Sequence, residues 1–198
     1  MAEKVLSKDF WDKRYKEQET GWDIGFPSPA IAEYVNQLSW RDKPVLIPGC
    51  GNAHEAEYLL KQGFSNLTVI DIAPSLTDAL KVKFGEEVNK SIHIITGNFF
   101  DLKGEYELIL EQTFFCALDP SLRTAYVRKM HSLLVKGGRL AGVLFNKKFD
   151  EDGPPFGGTL EAYQQLFAPL FTFKTLEPCY NSIEKRKDAE LFINFMPK

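Results

Sequence analysis

Gly49-Cys50-Gly51 follows the short apolar run Val45-Leu46-Ile47, and Asp71 ends a second such run twenty residues beyond Gly51. A third element, Asn98-Phe99, comes just after Gly97 and a third apolar run. Glycines at 49 and 51 permit a tight strand-to-helix turn and let a ligand approach the backbone closely. A carboxylate at 71 has the type and spacing to hold two ribose hydroxyls. An amide beside a ring suits adenine, one bonding its edge and the other covering its face. A dinucleotide fingerprint needs a third glycine at 54, where His54 stands, and no Gly-Lys-Ser/Thr follows as a phosphate-gripping loop requires. Each element has a plainer reading: a turn that needs glycines, a helix cap ahead of Pro74, a core phenylalanine. Their joint spacing favours a nucleoside without phosphates.

Other reactive residue types carry less. Cys50, Cys116 and Cys179 have no metal-ligand spacing, and His54, His93 and His131 stand alone, so no metal is expected. No histidine pairs with Cys50 or Cys116 at a recognisable spacing, which makes them small packing residues rather than nucleophiles. His54 reads as a surface residue of the helix after the glycine loop. Lys185-Arg186-Lys187 reads as a solvated turn. No dedicated general base stands out.

These residues need elements to hold them. Apolar runs at 45–47, 67–70, 92–95, 108–110 and 140–145 suit parallel strands buried on both faces. Two later segments, 171–176 and 190–195, read as a final pair, the second as an antiparallel edge strand. Ser28-Pro29 opens a helix with Ile31, Val35 and Leu38 on one stripe. Asn52 and Glu55 have capping-box spacing for a helix ending at Gly63. Asp119-Pro120 begins another, with Leu122, Tyr126, Met130 and Leu133 on one face and Gly137-Gly138 as its stop. The expectation is an α/β fold: a doubly wound, mostly parallel sheet of seven strands in a single domain, 1–198. Residues 41–198 form its core. Residues 1–40 form a preamble with a helix from Ser7 to about Gln18, which the sheet itself does not require.

The chain has 198 residues and a formal charge of −3, without the basic excess of a protein whose main partner is nucleic acid. Met1 to Asp9 lacks the apolar core of a signal peptide, and no apolar run approaches the ~20 residues of a membrane span. A cytoplasmic monomer acting on a small molecule is expected, with neither nucleic acid nor membrane as partner. Aromatic residues reach 13% of the chain, enough for a large core, an apolar pocket, or both.

Two local signatures narrow the reading. One is Phe10-Trp11-Asp12-Lys13-Arg14-Tyr15 with Thr20-Gly21-Trp22-Asp23-Ile24-Gly25; the other is Glu111-Gln112-Thr113-Phe114-Phe115-Cys116-Ala117-Leu118-Asp119-Pro120. With Gly153-Pro154-Pro155-Phe156, the chain resembles the thiopurine S-methyltransferase superfamily of class I S-adenosylmethionine-dependent methyltransferases, nearest its thiol/halide branch. The match runs from about Phe10 to Met196. The resemblance implies a Rossmann-like fold with an N-terminal helical lid. It implies S-adenosylmethionine as cofactor and S-adenosylhomocysteine as product. Cofactor contacts would come from Trp11, Tyr15, Trp22, Gly49, Gly51, Asp71, Asn98, Phe99 and Gln112. The substrate pocket would take Gln112, Phe114, Phe115, Phe156 and Arg186. Position 112 departs from its relatives, being Arg in thiopurine enzymes and aromatic in plant halide/thiol enzymes; Glu111 stands where Asp is frequent, and Ala53 where Gly is frequent. The implied reaction is methyl transfer to a small thiol, hydrosulfide or halide. The alternatives are an oxygen or nitrogen acceptor, or a non-catalytic module that binds S-adenosylmethionine or a nucleoside.

Overall fold

The computed structural model describes residues 6–149 and 153–198. The stretch Met1 to Val5, part of the charged N-terminal segment, lies outside the described residues.

Seven strands form one sheet: β1 (Val45–Pro48), β2 (Leu67–Asp71), β3 (Ile92–Thr96), β4 (Tyr106–Gln112), β5 (Leu134–Phe145), β6 (Phe171–Pro178) and β7 (Glu190–Pro197). Their order is β3-β2-β1-β4-β5-β7-β6. The first five are parallel, and β7 runs antiparallel to both β5 and β6, so the sheet is mixed. β1 and β2 are buried along their whole length, as their unbroken apolar runs demand. The expected edge assignment is corrected: β7 is interior, and the two edges are β6 and β3. Leu191, Ile193, Asn194 and Phe195 are all buried, which two flanking strands achieve, whereas β6 exposes Thr172 and Lys174.

Helices α1 (Lys8–Lys16), α2 (Pro29–Asn36), α3 (His54–Lys61), α4 (Pro74–Phe84), α5 (Arg123–Leu133) and α6 (Leu160–Phe167) cover the sheet. One core gathers Phe115, Tyr126, Tyr163, Phe167, Phe171 and Phe195; the other gathers Ile31, Val35, Leu59, Phe64, Leu76 and Leu80. Chain order reverses where β1 lies between β2 and β4. Such a switch point opens a crevice at the carboxyl ends of the strands.

Three local expectations change. Asn52 and Glu55 form no capping box, because Ala53 takes the N-cap position in a left-handed conformation, φ 54°. Asn52 bonds Asp23 instead, and Glu55 Oε1 accepts the Ser28 N–H at 2.9 Å, which docks the start of α2. Gly137-Gly138 does not stop a helix: α5 passes directly into β5, and both glycines lie within that strand. They sit where the β4–β5 register shifts, and a Cβ on Gly138 would lie 3.0 Å from the Glu107 carbonyl oxygen. Leu122 belongs to a 3-10 turn before α5 and is 39% exposed, unlike buried Tyr126, Met130 and Leu133.

The preamble is pinned by polar contacts. Ser7 caps α1 by accepting the Phe10 N–H. Asp12 accepts from both the backbone N–H and the hydroxyl of Ser75, at 2.8 and 2.6 Å, and so caps α4, whose own N-cap residue is Ala73. Lys16 and Ser75 hold the Asp12 carboxyl down to about 2.

Candidate active site

A cavity of about 320 Å³ occupies the switch-point crevice. Its floor is the turn after β1. Gly49 and Gly51 have φ of +56° and +51°, where an L side chain is strained. A Cβ on Gly49 would lie 2.2 Å from the Phe114 ring, so the glycine lets that ring rest on the loop backbone. Asp71, at the end of β2, accepts the Gly51 N–H at 3.3 Å and the Ala73 N–H at 3.0 Å. Burial raises its carboxyl above the usual range, against these donors. Asn98 Oδ1 accepts the Phe100 N–H at 3.0 Å, capping the 3-10 turn Phe99–Asp101. Phe99 is buried and edge-on to Phe114, with centroids 5.1 Å apart. Gly49, Gly51, Asp71, Asn98 and Phe99 all line the cavity, Asp71 and Asn98 while making these local caps.

The preamble supplies the roof. Trp22 packs edge-on against Trp11 and Tyr15, with centroids 5.6 and 5.8 Å away, and all three line the cavity. The Tyr15 hydroxyl reaches to 3.4 Å from where a Gly51 Cβ would stand. Burial and the nearby charge of Asp71 push that phenol far up. Asp23 accepts from Gly25 N–H at 2.7 Å and from the Asn52 amide, and lies 2.8 Å from His54 Nε2. Burial raises the Asp23 carboxyl, but these partners outweigh it and hold it below its ordinary value. His54 is therefore not a plain helix-surface residue. It lines the cavity and ties α3 to the preamble.

The reacting end is walled by the turn after β4. Glu111 is fully buried; its Oε1 accepts the N–H groups of Phe114 and Phe115, both at 2.8 Å, and its Oε2 accepts the Tyr126 hydroxyl. Burial pushes the Glu111 carboxyl up to about 7. Thr113 takes φ +56° in the same turn. Gln112 lines the cavity, and its buried Oε1 has no hydrogen-bond partner. Cys50 and Cys116 also line it, with thiols pushed up by burial, which agrees with packing and not nucleophilic roles.

Three residues expected in the substrate pocket lie elsewhere. Phe115 does not line the cavity that Phe114 lines; it is 1% exposed among Tyr126, Tyr163 and Phe167, with Arg123 over its ring at 4.9 Å. Phe156 donates its N–H to the Cys116 carbonyl at 2.7 Å and does not line the cavity, where Pro154 and Pro155 do. Arg186 does not line the cavity either, nor is it a solvated turn residue: its guanidinium bonds the Trp22 carbonyl at 2.7 Å. Sequence reading missed Glu111, Asp23 and Asp12 as organisers. The available signal for Glu111 was a carboxylate inside an otherwise apolar strand.

A probable thiol methyltransferase 2 of Arabidopsis thaliana is 29% identical over 163 residues, covering 81% of this chain and 72% of that protein. A thiopurine S-methyltransferase of Acinetobacter baylyi is 26% identical, covering 87% and 88%. Among solved structures, a Burkholderia thailandensis 1,6-didemethyltoxoflavin-N1-methyltransferase with bound S-adenosylhomocysteine superposes with a TM-score of 0.76 at 21% identity, covering 98% and 88%. That likeness shows the class I methyltransferase fold. The family model for thiopurine S-methyltransferase matches residues 6–193. The chain belongs to the thiopurine S-methyltransferase family.

Proposed function

We propose that the protein transfers a methyl group from S-adenosylmethionine to a small thiol, and also to hydrosulfide or halide, in the cavity roofed by Trp11, Tyr15 and Trp22. The observation that carries this is convergence: Asp71, Asn98-Phe99, the glycine turn and Gln112, far apart in sequence, all face one cavity. The residues fit the cofactor. Asp71 retains acceptor capacity beside its 3.3 Å bond to Gly51, and the Gln112 carbonyl is buried without a donor, as a site awaiting a polar ligand would be.

When bound, S-adenosylmethionine supplies a methyl group already activated by a positive sulfur. Asp71 would hold the ribose hydroxyls, and Asn98 and Phe99 would hold the adenine. Trp11, Tyr15 and Trp22 exclude water and offer π faces to the cation, each worth ~0.5–2 kcal/mol. Gln112 and Phe114 line the cavity and would confine a nucleophile beside the activated methyl; such orientation can supply up to ~7–11 kcal/mol. A thiolate and a sulfonium neutralise each other, so the dry wall favours reaction over hydrated ions. Burial pushes both cavity thiols up, and His54 is bonded to Asp23, so the mechanism assigns a base role to none of these three described side chains. Acceptors of low pKa need none: a thiol near pKa ~8.5 is a few per cent ionised at neutral pH.

We read residues 6–40 as a lid on one domain, and the chain as a cytoplasmic monomer without nucleic-acid partners; the −3 charge supports the last point. No helix among the described residues is long and apolar enough to cross a membrane. The test is calorimetry with S-adenosylhomocysteine on wild type and Asp71→Ala, then headspace detection of methanethiol and methyl iodide. Binding that disappears in the variant, with volatile product from the wild type, is expected. Equal affinity in both proteins overturns the ribose assignment, and transfer to oxygen or nitrogen acceptors alone overturns the substrate class.

A further inference from the structure

We propose that Arg186 is a positioning residue that clamps the Trp22 segment over the cavity, and so governs cofactor retention without touching the acceptor. Arg186 closes a 3-10 turn, Glu184–Arg186, between β6 and β7, 164 positions from Trp22. One guanidinium nitrogen donates to the Trp22 carbonyl at 2.7 Å, and another lies 3.4 Å from Glu190 Oε1. The plane also sits over the Phe145 ring at 5.5 Å. The Arg186 side chain is 11% exposed and that of Glu190 5%, so the pair is enclosed by protein.

What the clamp holds has little structure of its own. Between α1 and α2, the segment around Trp22 forms only turns, among them the Asp23 N–H to Thr20 carbonyl bond and the Gly25 N–H to Asp23 bond. Besides the Trp22–Tyr15 hydrogen bond and the Arg14–Glu19 ion pair to α1, side-chain hydrogen bonds tie it to the sheet domain at three places among the described residues. Asp23 meets Asn52 and His54, and Ser28 meets Glu55; both tie it to the α3 side. Arg186 alone ties it to the β6–β7 side, and it does so through the backbone of the residue whose ring covers the cavity. A guanidinium suits this task because its fixed fork serves Glu190 and a carbonyl at once, which an ammonium does less well. Because Arg186 is turned to these partners and does not line the cavity, its role is to hold the Trp22 segment and not to bind an acceptor.

The inference rests on the cavity being the cofactor site, but its first test needs no ligand. Arg186→Met keeps the stem and removes the donors. Arg186→Met/Glu190→Gln also removes the buried carboxylate that the single variant would strand, and keeps the experiment decisive if the single variant folds poorly. In ligand-free protein, amide exchange at Asp23 and Gly25 is expected to rise about tenfold in both variants; unchanged exchange overturns the clamp. Affinity for S-adenosylhomocysteine is expected to fall about tenfold, while the KM for a thiol at saturating cofactor stays level. A raised thiol KM with intact cofactor affinity overturns the proposal and returns Arg186 to the acceptor pocket. Adding Trp22→Ala to Arg186→Met is expected to cost no affinity beyond the weaker single variant, and additive losses overturn it. If wild-type protein fails to bind S-adenosylhomocysteine, the proposed function falls, and the exchange measurement still decides the clamp.

Discussion

Glu111→Gln isolates the buried carboxyl that organises the reacting end. Glu111 is fully buried, accepts two backbone N–H groups and one phenol, and has its carboxyl raised from 4.5 to about 7, burial being the main cause. A raised acid binds its proton more tightly in the folded chain. Its contribution to stability is therefore complete below the unfolded value and is lost as pH rises through the folded one. The interval from 4.5 to about 7 corresponds to roughly 3 kcal/mol, lost between about pH 4 and pH 8. Glutamine keeps an oxygen for the Phe114 and Phe115 N–H groups but cannot ionise. Urea unfolding at pH 4, 6 and 8 is the assay. Wild type is expected to lose roughly 3 kcal/mol more than the variant across that range, other titrating groups being common to both. Parallel stability curves for the two proteins would falsify the reasoning.

Three further outcomes are expected. Gln112→Met removes a buried oxygen that has no partner, so ligand-free stability rises by about 1–3 kcal/mol while the KM for cofactor or thiol worsens; a fall in the melting temperature refutes this account. Gly49→Ala puts a Cβ 2.2 Å from the Phe114 ring at φ +56°, costing roughly 1–2 kcal/mol in backbone strain before Phe114 is displaced, and should weaken S-adenosylhomocysteine binding in calorimetry. Asp12→Ala removes the cap that α1 places on α4, at a cost of about 1–2 kcal/mol in urea unfolding at pH 7. Because Asp12 is depressed to about 2, its contribution is present above the ordinary 3.8 and vanishes as pH falls towards 2, so the variant and wild type should converge there.

Residue type and local spacing were enough for several features. β1 and β2 are nearly continuous apolar runs between turn residues, and a strand buried on both faces has no other composition to choose. β3 was found by the same signal, but it lies at the sheet edge and buries only Ile92, so its run is not a strand covered on both faces. Gly49, Asp71 and Asn98-Phe99 were legible because each follows such a run directly, and parallel strands put the ends of successive runs on one edge. Trp11, Tyr15 and Trp22 stood out because a sheet domain has no need of the segment that bears them.

Tertiary structure decided what depends on contacts between distant parts of the chain. Nothing local distinguishes Phe114 from Phe115, yet the Glu111-bonded turn sends one ring into the cavity and the other into the core. Asn52 and Glu55 had the spacing of a capping box, but left-handed Ala53 and the partners Asp23 and Ser28, more than twenty residues away, claimed both side chains. Arg186 sits in a basic run that reads as solvated until the fold brings Trp22 and Glu190 to it. Apolar periodicity is set by burial, which a strand or helix displays residue by residue. A polar side chain takes the partner that lies within about 3 Å, and only the folded chain determines which one that is.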